Sequence, residues 1–266
     1  MVSQKNARKP YPTDLTDAQW SMVAGLMPTQ KSGGRPREVA IREIVNAIIY
    51  AVKSGRDWRM LPHDFPQRDL VCHYFRAWQR DGTWKSMHDA LRSKLRKKLG
   101  KKEQPTAGIL DSQSVKTAEK RGVRGYDAGK KVNGRKRHIL VDTLGLILEV
   151  VVHAADIQDR DGAKLVLKRI KKHFLKLKLI WADGGYAGKL VWRAKRYCGW
   201  RITIIKRSDG HKGFEVLPKR WIVERTFSWL YKYRRLRTDY EYRADTGEAL
   251  IHVAMIHIMT RRLSKE

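Results

Sequence analysis

The chain has 266 residues, 57 of them Lys or Arg and 27 Asp or Glu, for a formal net charge of +30. Self-repulsion at that charge is costly and points to a polyanionic partner. An apolar content of 42 %, with nine Trp, ten Tyr and five Phe, excludes a simple disordered basic protein.

Up to residue 104 there are 21 basic and 10 acidic residues, and from Pro105 onward 36 and 17, so the charge belongs to the body of the chain and not to a tail. Two cysteines, Cys72 and Cys198, cannot form a disulfide framework, and no Cys/His pair has zinc-ligand spacing. The start lacks an apolar signal region. The longest apolar stretch, around Leu250 to Met259, is interrupted by His252 and His257 and is too short to span a bilayer. The expectation is a soluble, cytoplasmic protein with no membrane partner.

In chain order, the first third reads as helices. Thr16 stands as an N-cap before a stripe of Trp20, Val23, Ala24 and Met27 that stops at Pro28. After a polar spacer, Lys31 to Arg37, a second helix runs from Val39 to Val52 and ends near Gly55. Pro62 and Pro66 make residues 56–69 a loop, and Leu70, Tyr74, Phe75 and Trp78 open a further helix. Short amphipathic helices with basic faces suit a helix-turn-helix type DNA-binding module, or equally a helical subdomain packed on its neighbour. Leu91 to Lys102 holds seven Lys or Arg in twelve residues and reads as a linker or as a helix end lying along phosphate. The expected division is a helical DNA-binding domain with basic linker, 1–104, and a catalytic domain, 105–266.

After Pro105 the texture becomes α/β. Ala107 to Leu110 is a short strand ending in Asp111, and Arg137 to Asp142 and Leu144 to Val152 form a hairpin. A helix follows from Gly162 to Phe174, then a strand from Leu177 to Ala182 ending in Asp183. A helix at Lys189–Tyr197, a strand at Trp200–Lys206 and a long helix from about Lys219 to Leu236 complete a mixed sheet with helices. Asp156, Asp159 and Asp161 lack a calcium-loop pattern and are expected to cap the helix near Gly162.

Asp111 and Asp183 sit at strand ends, where open α/β sheets gather ligands, although an Asp there also caps turns. Glu224 has Trp221 at i−3, Phe227 at i+3 and Arg220 at i−4, which aims it near an apolar face where a charge must be paired or bind a cation. An Arg220 to Glu224 ion pair is the plain alternative. Together the three acids suggest oxygen ligands for two hard divalent cations, and thus phosphoryl transfer on nucleic acid. Lys232, Arg234, Arg235 and Arg237 continue the Glu224 helix toward phosphate. The absence of a phosphate-loop signature argues against a nucleotide cofactor.

The chain resembles the DDE transposases of bacterial insertion sequences, of the insertion-sequence-five type. The resemblance is carried in order by Leu15 to Trp20, Gly34-Arg35-Pro36-Arg37, Trp58 to Pro62, Trp78 to Trp84, Ile109 to Lys116, Gly134-Arg135-Lys136-Arg137-His138, Ala182 to Tyr186 and Trp221 to Phe227. It implies an RNase H-like fold with Asp111, Asp183 and Glu224 as catalytic, metal-binding triad. The implied cofactor is Mg²⁺, two ions, with Mn²⁺ a substitute. The implied partner is double-stranded DNA, both element ends and target, held by a homodimer or higher assembly. Arg220 matches a family DNA-contacting Arg. Leu217 and Tyr231 stand where the wider family has Tyr and Lys, which leaves the Lys role unassigned. Arg35 and Arg37 resemble the core of a minor-groove hook, and Lys136 and Arg137 are expected on DNA. The implied activity is binding of terminal inverted repeats, cleavage of the ends and transfer of 3′-hydroxyls to target DNA. Its rivals are an RNase H-like nuclease that does not join strands and a non-catalytic basic DNA-binding protein.

Overall fold

The computed structural model describes residues 8–29, 37–118, 122–205 and 219–265. The chain divides into two compact units, Met1–Leu95 with Tyr233–Leu236 and Ala249–Glu266, and Arg96–Lys232 with Arg237–Glu248. Among the described residues no helix is long and apolar enough to cross a membrane.

The first unit is helical. Thr16 and Gln19 form a reciprocal capping box at the start of α1 (Asp17–Ala24), satisfying two amides that the first turn leaves open. In α2 (Ile41–Ser54) the spacing of Ile44, Ile48 and Val52 makes a fully buried stripe. The helix stops at Gly55, whose φ is 78° and where an added Cβ would lie 2.7 Å from Arg234 Cβ. The proline-containing loop holds one 3₁₀ turn, Trp58–Met60, before α3 (Arg68–Arg80) and α4 (Thr83–Lys98). Trp58, Phe75, Trp84 and Trp78 form a chain of ring contacts 5.3–6.2 Å apart, and the Trp84 indole donates to the Phe75 carbonyl at 3.2 Å. The basic run from Leu91 is mostly the last turns of α4, and Arg92 and Arg96 are buried. Arg92 donates to Asp89 at 2.5 Å. These two are structural cations, a correction to the expected phosphate-lining linker.

The C-terminal helix, Ala244–Leu263, buries its histidines. Burial, with the charges of Arg261 and Lys53, pushes His257 down to about 4, and burial likewise lowers His252 and His88. Protonation then favours the unfolded chain, where a histidine titrates near 6.5, so this contribution is intact above about pH 6.5 and lost as pH falls toward 4. His257 alone is expected to cost on the order of 3 kcal/mol over that window. Denaturant melts at pH 7 and pH 4.5 measure it, and His257→Gln flattens part of the slope.

The second unit is a mixed α/β layer structure. Its strands are β1 (Ala107–Lys116), β2 (Gly125–Asp127), β3 (Val132–Asp142), β4 (Ile147–Ala154), β5 (Leu179–Ala182) and β6 (Arg201–Ile204). Its helices are α5 (Asp159–Ile170), α6 (Lys189–Cys198) and α7 (Arg220–Tyr231). The sheet order is β2-β3-β1-β5-β6, with β4 also on β3. β1, β3 and β4 are antiparallel, whereas β1, β5 and β6 are parallel. Leu110, Leu140, Val166, Ile170, Ile180 and Tyr186 lie in one apolar core with residues of α6.

The β3–β4 turn seats α7. Asp142 Oδ1 accepts from the Leu144 and Leu146 amides at 2.8 and 2.9 Å, while Arg96 pairs with Oδ2. Thr226 Oγ1 donates to the Gly145 carbonyl at 2.8 Å. Gly145 has φ 80°, and an added Cβ would stand 2.9 Å from that hydroxyl, so only glycine allows this approach.

Three expectations are corrected. β1 does not end at Asp111 but continues five residues, because its antiparallel pairing with β3, which begins at Gly108, runs on to Lys116 beyond the last β5 pair. α7 ends at Tyr231, not Leu236, with a separate 3₁₀ turn at Arg234–Leu236. β2 was not foreseen because three residues give no periodic signal.

Candidate active site

The sheet brings two of the predicted carboxylates together. Ala107, Gly108 and Ile109 pair with Leu179, Ile180 and Trp181, a constant offset of 72 positions. The same offset sets Asp183 beside Asp111, two residues beyond the last parallel pair and on the same face. Here β1 runs on beside β3 past its last β5 pair, and β5 gives way to a 3₁₀ turn, Gly184–Tyr186.

Asp111 is held by little. The Ser112 amide donates to Oδ1 at 2.7 Å. Burial above all, with the Asp183 charge adding, pushes its carboxyl up to about 6 against the Ser112 hydrogen bond and the Arg220 and Lys130 charges. Asp183 Oδ1 accepts the Gly185 amide at 2.9 Å, so it does cap a turn. One oxygen suffices for that, and Oδ2 has no hydrogen bond among the described residues.

Glu224 stands apart. Its side chain is half exposed, and Oε1 accepts from Arg220 at 3.0 Å, so the plain ion pair is present. The helix stripe facing the sheet is Ile222, Val223, Thr226, Phe227 and Leu230. Trp221, expected on that face, is exposed with Arg225 stacked over it at 4.5 Å. Arg220 links the group, being paired to Glu224 while its charge reaches Asp111. Among the described residues no three His, Cys, Asp or Glu side chains are close enough to hold a metal ion. The triad is therefore a pair plus a third acid on the next element.

The donor set fits a hard divalent cation. Two adjacent carboxylates, one pushed up by burial and by the other's charge, are what a cation would relieve, and every candidate ligand atom is a carboxylate oxygen.

Behind Asp111 lies a network that sequence reasoning missed. Ser112 Oγ donates to Asp159 Oδ1 at 2.9 Å, and Lys130 Nζ donates to the Ser112 carbonyl at 3.1 Å. Lys136 Nζ, buried, reaches Asp159 at 3.0 Å, Asp127 at 3.3 Å and the Ile157 carbonyl at 3.0 Å. Asp159 opens α5 after the N-cap Gln158, but its carboxylate faces β1 and does not cap the helix. The available signal was weak: Lys136 stands in the basic run Arg135 to His138, which reads as surface charge, and only the apolar residues from Ile139 mark the strand as interior.

Other basic residues expected on DNA are distributed unevenly. Arg137 is buried, and burial lowers it to about 10. Arg235 is buried, donating to the Arg56 carbonyl at 2.7 Å and lying 4.9 Å over Trp58. Lys136, Arg137 and Arg235 are thus corrected to interior roles. Lys232 and Arg234 are exposed, Arg37 lies 5.7 Å over the Tyr74 ring, and Arg35 falls outside the described residues, as does Leu217.

Paired carboxylates on and beside the central strand, amid cations, suit phosphoryl-transfer chemistry, and comparison with known sequences names the family. The family described as "Transposase DDE domain" matches residues 102–259, more than half of the chain, and the chain belongs to that family. The family "Putative transposase of IS4/5 family" matches residues 15–88. The chain is 34 % identical over 125 residues to "Putative transposase for insertion sequence element IS402" of Burkholderia cepacia, covering 44 % of this chain and 59 % of that protein. It is 30 % identical over 89 residues to "Insertion element IS402 uncharacterized 16.2 kDa protein" of the same organism, covering 31 % and 60 %. The matches thus span about three fifths of each curated relative.

Proposed function

We propose that the chain is a DNA transposase of an insertion sequence, which recognises terminal inverted repeats, hydrolyses the end phosphodiesters and joins the freed 3′-hydroxyls to target DNA. The observation that carries this reading is the Asp111 and Asp183 pair just past the end of the parallel β1–β5 pairing. The sheet order with β1 at its centre supports an RNase H-like catalytic unit. The helical unit, matched by the IS4/5 family, supports end recognition by a helix-turn-helix-like surface.

Asp111 and Asp183 would hold the Mg²⁺ ions, with Mn²⁺ a substitute, and Glu224 would complete the set by releasing Arg220. Bound divalent ions supply activation of the attacking oxygen and stabilisation of the leaving one. The chain's own groups bring the substrate there. Arg220 and Lys130 place positive charge beside Asp111, offsetting the repulsion between the acids and a phosphodiester. In the first step a water oxygen bonds to phosphorus as the 3′-oxygen leaves and takes up a proton. In the second that 3′-hydroxyl loses its proton, bonds to a target phosphorus and displaces the target's own 3′-oxygen. One site serves both steps, and two copies pair the two ends.

The test offers the protein with Mg²⁺ a pre-cut end carrying a free 3′-hydroxyl together with supercoiled plasmid. Joined product is expected. Cutting of an intact end without joining of the pre-cut one would assign a nuclease instead.

A further inference from the structure

The strongest unassigned feature is a groove between α5 and α6 in the second unit. Its floor is apolar, with Leu167, Leu190 and Ala194 buried. Its walls are cationic. Along α5 and its C-cap, Lys164, Lys168 and Lys171 recur at i, i+4 and i+7, and Arg193 faces them from α6. Of these four only Lys164 forms an ion pair among the described residues, with Asp161. A row of cations is usually a solvated helix face, but that reading predicts interspersed acids, and past Asp161 neither helix carries one.

The groove also leads from the candidate active site. α5 begins at Asp159, which is bonded to the residue after Asp111, and α6 begins six residues after Asp183. Arg160, one turn before Lys164, lies 3.6 Å from where a Cβ on Gly188 would stand, so the cationic row starts at the mouth between the two helices. At the far end Tyr197 and Trp192 are exposed and in edge contact at 6.3 Å, with Arg196 5.7 Å over the Trp192 ring, which adds a further cation to the row.

We infer that the α5/α6 groove is a second DNA-binding track, which holds the phosphodiester backbone of duplex DNA leading away from the carboxylates. This rests on the reading of the chain as a DNA-acting transposase. A duplex is favoured over an acidic peptide because the cationic row starts beside the carboxylates to which the proposed function brings DNA.

The test uses the full chain and a duplex of about 30 base pairs. Lys168, Lys171 and Arg193 are exposed, so replacing all three with Gln spares the fold. The variant is expected to lower the slope of log affinity against log salt by about 2 to 3, at about 0.9 per phosphate contact, and to weaken binding about a hundredfold at 0.1 M salt. In the wild type, saturating duplex is expected to protect Lys164, Lys168 and Lys171 from acetylation. An unchanged slope, or full acetylation under saturating DNA, overturns the track while leaving end cleavage intact. Protection by poly-glutamate but not by DNA also overturns it, giving the groove to an acidic protein. If wild type binds no duplex at all, the transposase reading falls with it.

Discussion

Asp183→Asn is expected to abolish end cleavage and strand transfer while leaving the fold and DNA binding in place. The substitution keeps Oδ1, so the cap on the Gly185 amide survives, but it removes the charge that holds a cation. Losing metal-assisted stabilisation worth several kcal/mol lowers the rate on the order of a thousandfold. Asp111→Asn makes the sharper comparison. Asp111 is a buried carboxylate beside another, so neutralising it removes a repulsion that the fold otherwise carries. It should lose cleavage equally and melt no lower than wild type. Binding to DNA without metal should tighten in both variants, since one negative charge beside the phosphodiester is gone. Gel shifts with and without Mg²⁺, cleavage of a labelled end and thermal melts give the three readings. If Asp111→Asn lowers the melting temperature in step with activity, the acid is structural and the metal reading is lost.

The carboxylates were readable in the sequence because each lies beside a local signal. Asp111 and Asp183 flank short apolar runs, and the offset that pairs them is the register of two strands, which no single segment reveals. Glu224 was found on its helix, but its surroundings were misjudged. The aromatic at i−3 reads in the sequence as part of the buried face, whereas the stripe that packs is set by Val223, Thr226 and Phe227, with Thr226 anchored on the Gly145 turn. A hydroxyl-to-carbonyl contact across 81 positions has no periodic signature. Asp159 shows the same limit. Its neighbours in sequence present it as a cap, and only the return of β4 beside β3 brings it under Ser112. The basic residues mark the opposite failure. Lys136, Arg137 and Arg235 look like surface charge in a +30 chain, yet they are buried because the sheet and the helical unit each use guanidinium or ammonium donors to satisfy backbone carbonyls and acids inside.

Arg135 shows how much such an interior cation holds. Its side chain and that of Asp239 are each 1 % exposed and pair at 3.0 Å. The same guanidinium donates to the carbonyls of Val123, Glu241 and Tyr242 at 2.7–2.8 Å. Asp239 in turn bonds the end of β1, its amide donating to the Lys116 carbonyl at 2.8 Å and its carbonyl accepting from Ala118 at 2.9 Å. Arg135→Met leaves a buried carboxylate and three carbonyls unpaired, a loss of about 3–5 kcal/mol. Asp239→Asn should cost less, because the guanidinium keeps its three carbonyl acceptors and the amide oxygen can still receive its N–H. Pairing Arg135→Met with Asp239→Leu is expected to recover part of the single-variant loss, since the carboxylate left without its guanidinium is gone, and the recovery is limited because Arg137 loses the Asp239 charge. Denaturant melts of the four proteins in the cycle give the coupling energy, and strictly additive losses would show that the two side chains act independently. The clip fastens β1 at the end remote from its pairing with β5, so Arg135→Met should also slow cleavage through looser placement of Asp111, and the double variant should regain rate along with stability.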